Sequence, residues 1–251
     1  MYRTITTNAI VLRRERYGEI HKGLSLLTEE LGLISATAYG AFKMASHLRL
    51  GSEPFTWSRV QLYHNPVKKS YKLTEVDIQS SFDGLQRDLG RLSAASLWVE
   101  VTQKSYGAGD FSGSLYHLFL ECLQLLEHAD AAGTKYMSVL FLWRFLSLAG
   151  YQPDTTHCER CGAPLSAPKT AYYSTHSHSL SCAACVNETG IALPAGALRY
   201  LETTDGLPLP RAAEIRLEST ALAALERGMR GMVESVLEGG LSSLRWTGAD
   251  R

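Results

Sequence analysis

The chain has 251 residues, of which 45% are hydrophobic and 20% are charged, an ordinary globular composition with enough apolar material for a core. The 25 basic and 25 acidic residues give a formal net charge of zero, so overall charge argues neither for nor against a nucleic-acid partner. The absence of an apolar run of about 18 residues argues against a membrane-spanning helix, and the early Arg13 and Arg14 argue against a signal peptide. We therefore expect a cytoplasmic protein without a membrane partner.

Charge is unevenly distributed along the chain. Residues 1–80 contain eleven lysines and arginines and seven acidic residues, a net charge of +4, which leaves −4 for the remaining 171 residues. This modest asymmetry permits a basic binding face in the N-terminal third.

Short apolar or alternating segments, separated by glycines and turn residues, fill the first 80 residues. In the fourth segment Val60 and Leu62 alternate with Gln61 and Tyr63, as expected for a strand with one buried face. Five short strands in about 75 residues predict a small β-barrel. The predicted strands are Ala9–Leu12, Leu24–Leu27, Leu33–Tyr39, Phe55–Tyr63 and Tyr71–Ile78.

After residue 80 the apolar period becomes helical. Residues Leu85, Leu89, Leu92, Ser96 and Val99 are spaced by 4, 3, 4 and 3, which predicts one amphipathic helix. Four other helices are predicted, at Leu115–Leu126, Tyr136–Leu148, Ala195–Thr203 and Leu222–Val236. The first includes Cys122 as a buried apolar residue. The second is apolar nearly all round and ends before Gly150.

A cysteine-rich segment interrupts these helices. It contains Cys158-Glu-Arg-Cys161 and, after 20 residues, Cys182-Ala-Ala-Cys185. Two CxxC turns can each present two thiolates, and together they complete a tetrahedron around one Zn²⁺ ion. Disulfides or unlinked thiols are the alternative, but a cytoplasmic location favours a metal. Ala171–Ser174 and Ser179–Leu180 could form a short ribbon between the turns.

The predicted zinc ion is structural. A catalytic zinc normally keeps one coordination position open for water, whereas four thiolates close the shell. His157, His176 and His178 lie nearby and could replace a cysteine, but we interpret them as surface or supporting groups. The metal would substitute for the hydrophobic core that an insert of roughly 30 residues is too small to build.

Four stretches of the chain, taken in this order, resemble the RecO family of bacterial recombination-mediator proteins. They are Ala9–Lys43, Pro54–Tyr63, Tyr71–Ile78 and Phe141–Gly162, the last of which runs from a helix into the first cysteine turn. The resemblance implies an α+β multidomain fold: an N-terminal OB-fold β-barrel and then an α-helical domain with an inserted four-cysteine zinc finger. The expected domains are residues 1–80 for the DNA-binding barrel, 81–153 and 191–251 for the two parts of the helical domain, and 154–190 for the zinc finger.

The resemblance also implies a function in DNA repair and recombination. Members of the family bind single- and double-stranded DNA and anneal complementary strands. They work with RecR, help to load RecA onto DNA coated with the single-stranded-DNA-binding protein SSB, and bind the acidic, apolar C-terminal tail of SSB. A cytoplasmic, nucleoid-associated protein that is not an enzyme is therefore expected.

The barrel segment carries the basic and aromatic residues that an OB-fold uses to bind single strands. We expect the DNA contacts to come from Arg13, Arg14, Arg16, Lys22, Tyr39, Phe42, Lys43 and Arg49, with Tyr17 as a further aromatic neighbour. The alternative is that several of these charges are only solvated and that the aromatic residues belong to the core.

One short segment departs from the family pattern. The family usually reads Ala-Lys-Gly-Ala-Arg-Lys where this chain has Ala38-Tyr39-Gly40-Ala41-Phe42-Lys43, so Tyr39 and Phe42 stand where cations are expected. We hypothesise that DNA binding at this loop shifts toward base stacking.

Arg144 lies in an otherwise apolar helix, where a cation is costly unless it is paired or at the surface. Its position in Phe141–Leu146 matches an arginine of the family's helical domain. We expect it to bind the terminal carboxylate of the SSB tail, and an intramolecular ion pair is the alternative.

Two other function classes remain open at this stage. One is a zinc-ribbon RNA-binding adaptor protein of transcription or translation, and the other is a zinc-dependent hydrolase or deaminase. The sequence contains no GxxxxGK[ST], HExxH or GxSxG motif, which agrees with a protein that acts by binding.

Overall fold

A computed structural model describes residues 4–68, 70–105, 112–165, 170–186 and 190–241 of the chain. The chain divides into two compact units. The barrel unit consists of Met1–Leu89 and Tyr106–Glu127, and the helical unit consists of Gly90–Ser105 and His128–Arg251. The helices expected between residues 81 and 153 are thus shared between the two units.

The barrel unit is built on five strands, as the sequence pattern predicts. They close into a barrel in the order β1-β2-β3-β5-β4, in which β3 and β5 pair in parallel and the other neighbours are antiparallel. This is a five-stranded OB-like barrel, so the predicted fold is confirmed. The strands are β1 (Thr4–Tyr17), β2 (His21–Thr28), β3 (Gly32–Ala38), β4 (Trp57–Asn65) and β5 (Ser70–Ser80).

The first strand is much longer than its apolar run. It pairs with β4 from Thr4 to Ile10 and with β2 from Ala9 to Tyr17, with an irregularity between Val11 and Arg13. Polar residues extend both ends because backbone hydrogen bonds continue beyond the buried stretch, to β4 at the N-terminal end and to β2 at the C-terminal end. This long strand carries its last residues past the apolar core, toward one end of the barrel.

Three helices, two of them only four residues long, complete the barrel unit. Helix α1 (Leu48–Gly51) joins β3 to β4 and packs on β5, where a Cβ atom added at Gly51 would lie only 2.4 Å from Val76 Cγ2. Helix α2 (Asp83–Gln86) follows the barrel. Helix α4 (Ser112–Leu126) packs against β2 and β3, and Trp57 Nε1 donates a hydrogen bond to Tyr116 Oη over 2.9 Å.

The helical stripe predicted from Leu85 to Val99 is wrong as one continuous helix. The chain turns after α2, where the Asp88 amide donates to the Leu85 carbonyl, and α3 (Leu89–Lys104) begins afterwards. Leu85 is buried whereas Leu89 is 78% exposed, because Leu89 now opens a new helix. The regular spacing therefore spans two separate helices.

The helical unit packs around α5 (Ala131–Leu148), which is buried nearly all round as predicted. Trp98 of α3 stacks on Phe141 of α5 with ring centroids 4.8 Å apart. After α5 ends, Gly150 adopts a positive φ of 76°, the conformation expected of a helix-terminating glycine. The remaining helices are α6 (Ala195–Thr204), α7 (Leu209–Ala212) and α8 (Ser219–Val236).

The cysteine segment forms a three-stranded sheet with the order β7-β6-β8. The two predicted ribbon strands are present as β6 (Ala171–Ser174) and β7 (Ser179–Cys182), while β8 (Ile191–Leu193) is an additional strand. Helix α8 approaches β8 closely, since a Cβ atom at Gly228 would lie 2.5 Å from Leu193 Cδ2. None of the described helices combines the length and apolar surface that crossing a lipid bilayer requires.

Candidate functional site

The four predicted cysteine ligands come together in the helical unit. The Sγ atoms of Cys158, Cys161, Cys182 and Cys185 all lie within 4.8 Å of one another, so the cluster could hold a metal ion. Cys158 is buried, and the other three are partly or fully accessible. The fifth cysteine, Cys122, is buried in α4 of the barrel unit, as its apolar surroundings predict.

The two CxxC turns are shaped by backbone hydrogen bonds. The Gly162 amide donates to the Cys158 carbonyl over 2.9 Å, and Gly162 has a positive φ of 68° that a residue with a side chain rarely adopts. In the second turn the Cys185 amide donates to the Cys182 carbonyl over 3.0 Å. Each CxxC turn thus directs its two thiols toward a common centre.

The thiols have very different proton affinities. Burial raises the pKa of Cys158, but backbone N–H donors from Cys182, Cys161 and Arg160 outweigh that effect and hold its pKa at about 6. Hydrogen bonds with the thiols of Cys161 and Cys182 raise the pKa of Cys185 to about 12. Several thiolates this close together require a compensating cation, and a bound metal ion supplies one.

Two of the three nearby histidines, His157 and His178, have other partners. His178 Nδ1 lies 2.9 Å from Tyr173 Oη, and its ring is 5.2 Å from that of Tyr151. His157 Nδ1 lies 2.8 Å from Thr156 Oγ1. Within the described residues, the metal-ligand cluster consists of cysteines alone.

In the barrel unit, the burial of Lys22 contradicts its predicted role as a DNA contact. Its side chain is fully buried, and Nζ donates to Arg49 O over 2.9 Å, to Ser52 Oγ over 2.8 Å and to Glu53 Oε1 over 2.8 Å. An ammonium group has three N–H donors, and all three are used inside the protein. Lys22 is therefore withdrawn from the residues expected to contact DNA.

Lys22 belongs to a group of four charged residues and one aromatic ring at one end of the barrel, which we call the mouth cluster. Its members are Arg14, Arg16, Lys22, Phe42 and Glu53. The Glu53 carboxylate also accepts from Arg14 Nε over 2.7 Å. The half-buried Phe42 ring lies 5.8 Å from Arg14 Cζ, 6.0 Å from Arg16 Cζ and 5.2 Å from Lys22 Nζ. The Phe42 ring therefore holds the neighbouring cations by cation–π contacts and does not offer an exposed face for stacking on bases.

Three of the other predicted contacts lie at or near the surface of the same unit. Arg13 and Lys43 are exposed, and Arg49 is half-buried with Nη1 2.7 Å from Met44 Sδ. Lys43 follows a turn that is held by the first residue of β2 and the residue before it. The Gly40 amide donates to His21 Nδ1 over 2.8 Å, and the Phe42 amide donates to Ile20 O over 3.1 Å.

Tyr39 lies in a row of side chains that sequence reasoning found only in part. Its ring is 4.9 Å from that of His21, and Lys72 Nζ lies 5.4 Å from the Tyr39 ring centroid. The Tyr17 ring is 6.4 Å from that of His21 on the other side. His21 and Lys72 were missed because only the pairing of β1, β2, β3 and β5 makes these positions neighbours.

Arg144 is engaged within the helical unit. Its Nη2 donates to Thr204 O over 2.6 Å and to Leu207 O over 2.8 Å, and its Nη1 lies 3.5 Å from Asp205 Oδ1. The guanidinium thus binds the carbonyl of the last residue of α6, where a cation is favourable, and a second carbonyl in the segment before α7. Its predicted role in binding a partner stays a prediction.

Comparison with known proteins assigns both parts of the chain to one family. The family model for "Recombination protein O N terminal" matches residues 1–82, and that for "Recombination protein O C terminal" matches residues 86–245. The chain belongs to the RecO family. The N-terminal RecO match ends just after β5, and the C-terminal match includes the cysteine cluster.

Individual RecO relatives are similar over most of the chain. A protein named DNA repair protein RecO from Dehalococcoides mccartyi is 30% identical over 96% of this chain and 93% of its own length. The protein of that name from Heliobacterium modesticaldum is 35% identical over 68% of this chain and 62% of its own. The one from Desulfosudis oleivorans is 29% identical over 87% and 88%, respectively. The resemblance read from the residues is therefore confirmed.

Proposed function

We propose that this chain is a DNA-binding recombination mediator of DNA repair. It binds single- and double-stranded DNA, anneals complementary strands and, with RecR, helps to load RecA onto DNA coated with SSB. It acts in the cytoplasm at the nucleoid, by binding and placing strands, and is not an enzyme. The observation that carries the proposal is an OB-like barrel in a RecO family chain, with exposed cations and aromatic rings on that barrel.

The barrel would bind the sugar–phosphate backbone through its arginines and lysines. Exposed cations attract phosphates and release counterions, so affinity should fall steeply with added salt. The ion pair with Glu53 partly neutralises Arg14, so Arg14 should bind phosphate more weakly than the exposed Arg13 and Lys43. The proposed DNA contacts are Arg13, Arg14, Arg16, Tyr39, Lys43 and Arg49, and Phe42 would position Arg14 and Arg16.

The metal held by the cysteine cluster would be one structural Zn²⁺ ion. Four ligands at about 2.3 Å from a tetrahedral zinc ion lie about 3.8 Å from each other. The Sγ atoms of Cys161 and Cys182 are 3.8 Å apart. Four thiolates leave no open coordination position for a substrate, so the ion supports folding and takes no part in a reaction.

The SSB tail would bind the helical unit at Arg144. Asp205, whose carboxylate lies 3.5 Å from Arg144 Nη1 and is half exposed, occupies the place that the terminal carboxylate of the tail would take. The tail would therefore displace Asp205 from Arg144 and leave the bonds to Thr204 and Leu207 intact.

A pair of variants tests this assignment with a peptide of the SSB tail. Arg144→Ala should lose peptide affinity while circular dichroism stays unchanged, and Asp205→Asn should gain affinity because it removes the competing carboxylate. If Arg144→Ala keeps the peptide affinity of the parent chain, Arg144 has only its structural role.

The main test is annealing of complementary oligonucleotides coated with SSB, with and without RecR. We expect the chain to accelerate annealing above the protein-free rate and RecR to alter that rate. Inactivity in both conditions would contradict the proposed function. Titration with single-stranded DNA and RNA of equal length separates the proposal from an RNA-binding adaptor, which would prefer RNA.

A further inference from the structure

A continuous row of four side chains crosses the barrel, and we call it the aromatic row. Its members are Tyr17 of β1, His21 of β2, Tyr39, which directly follows β3, and Lys72 of β5. Tyr17 at the end of β1 pairs with His21 at the start of β2, and Lys22 pairs with Ala38, which places His21 beside Tyr39. Thr37 of β3 pairs with Lys72 of β5. The ring centroids of Tyr17 and His21 are 6.4 Å apart, and those of His21 and Tyr39 are 4.9 Å apart. Lys72 Nζ lies 5.4 Å from the Tyr39 ring centroid.

The row lies on the outer surface of the barrel. Side chains alternate between the two faces of a strand, and Lys22 and Leu24, the inward residues of β2, are buried. His21 therefore points outward, as do its strand neighbours Tyr17 and Tyr39. Tyr17 is 56% exposed and Tyr39 is 48% exposed, so these rings present free faces or edges to solvent. Exposed aromatic rings that touch one another have apolar surface available for a flat ligand.

The lysines near the row favour an anionic ligand at its Lys72 end, whereas the exposed Glu19 in the turn between Tyr17 and His21 disfavours one at the other end. Lys72 lies at one end of the row, and the exposed Lys43 follows the turn that starts at Tyr39. Glu15, which lies over Gly23 one step further along β1 and β2, would repel a phosphate on that side. A chain of phosphates should therefore pass by the lysines and turn its bases toward the rings.

We propose that the aromatic row binds unpaired bases of a single nucleic-acid strand by stacking, while Lys43 and Lys72 bind the neighbouring phosphates. The inference rests on the proposed DNA-binding function and specifies which form of DNA this face takes. In a duplex the faces of the bases already stack on each other, so that exposed rings meet only groove edges and backbone. In a single strand the faces are available, and every base has one, which makes stacking tolerant of sequence.

Phe42 is excluded from this role although it is aromatic and only three residues from Tyr39. Its half-buried ring lies within 6.0 Å of Arg14 Cζ and Arg16 Cζ and 5.2 Å from the buried Lys22 Nζ. Of the two rings that replace family cations, Tyr39 would stack on bases, and Phe42 would hold the arginines that meet phosphate.

The test compares the full-length, metal-loaded chain with its Tyr17→Leu/Tyr39→Leu variant by fluorescence anisotropy. The probes are oligo(dT), an abasic strand of the same length and a duplex. Each stacked base contributes roughly tenfold in affinity, so the variant should bind oligo(dT) roughly a hundredfold more weakly and the abasic strand equally well. The dependence of oligo(dT) affinity on salt should keep its slope, since no phosphate contact is lost.

Two controls isolate the rings. Tyr17→Phe/Tyr39→Phe keeps the ring faces and should bind oligo(dT) like the parent chain. Tyr151→Leu removes an exposed tyrosine from the helical unit and should also have no effect.

The outcomes separate the row from the function on which it rests. If the parent chain binds oligo(dT) and the abasic strand equally, or the leucine variant loses both equally, the aromatic row is not a stacking site while DNA binding stands. If the parent chain binds none of the three probes, the proposed function fails and the inference fails with it.

Discussion

The cysteine cluster takes its four thiols from two CxxC turns only 20 residues apart, whereas the aromatic row combines residues of three barrel strands with one from the turn after β3. The thiols must act together, because a tetrahedral site with one ligand missing no longer has a closed shell. The residues of the row contribute separately, because each base stacks on its own ring. We therefore expect single substitutions to abolish the first site and only to weaken the second.

The strongest test of this contrast is removal of one thiol. Cys158→Ser should lose the metal and destabilise the insert by on the order of several kcal/mol, because metal binding contributes directly to folding of such small modules. Metal analysis and thermal unfolding would measure both effects. Cys122→Ala is the matched control, since this buried thiol lies in the barrel unit and should leave metal content unchanged. A Cys158→Ser chain that keeps one bound metal would show that the site tolerates three thiolates.

A smaller effect is expected from the mouth cluster. Lys22→Met should lower the free energy of unfolding by about 2–3 kcal/mol, because it leaves Glu53 and the Arg49 carbonyl without a buried donor. Urea unfolding would measure the change, and Lys68→Met, at an exposed position, should have almost none. Unchanged stability together with weaker DNA binding would restore Lys22 as a DNA contact.

The two rings that replace family cations should behave differently. Phe42→Leu keeps apolar volume but removes the ring face beside Arg14 and Arg16, so it should cost about 1 kcal/mol of stability and weaken DNA binding only slightly. Tyr39→Leu should do the reverse, with little change in stability and a clear loss of oligo(dT) affinity. Unfolding and anisotropy titrations on both variants would measure this difference, and equal effects on oligo(dT) binding would contradict it. If the Tyr39→Ala/Phe42→Ala double variant keeps its single-strand affinity, the stacking hypothesis is wrong altogether.

The smallest expected change concerns the phosphate contact at the end of the row. Lys72→Gln should reduce the slope of log affinity against log salt for oligo(dT) by about 0.7, the value for one phosphate on a single strand. Arg227→Gln on α8, an exposed cation of the helical unit, is the matched control and should leave the slope unchanged. An unchanged slope in Lys72→Gln would mean that Lys72 only packs on Tyr39.

Local features of the chain could be predicted from the sequence, whereas features that depend on strand pairing could not. The CxxC spacing is local, so the cluster of four cysteines and both ribbon strands could be predicted. The five barrel strands could be placed by their apolar alternation, but not their ends, because backbone pairing continues through polar residues such as Arg14 and Arg16.

Properties that depend on strand register were not accessible in this way. Lys22 could not be recognised as buried, since its burial depends on Ser52 and Glu53, which lie 30 and 31 residues away. His21 and Lys72 become neighbours of Tyr39 only through the pairing of β2 with β3 and of β3 with β5. The break between α2 and α3 was missed because Leu89 continues the apolar spacing although it is exposed.

The central claim is a division of labour in which the barrel binds DNA and the metal supports folding. Its most direct test is the oligo(dT) affinity of metal-free Cys158→Ser, with hydrogen exchange confirming that β1–β5 remain folded. We predict an affinity within about threefold of the parent chain, because no proposed DNA contact lies in the metal-bearing segment. A loss as large as that of Tyr17→Leu/Tyr39→Leu, with the barrel intact, would contradict this account.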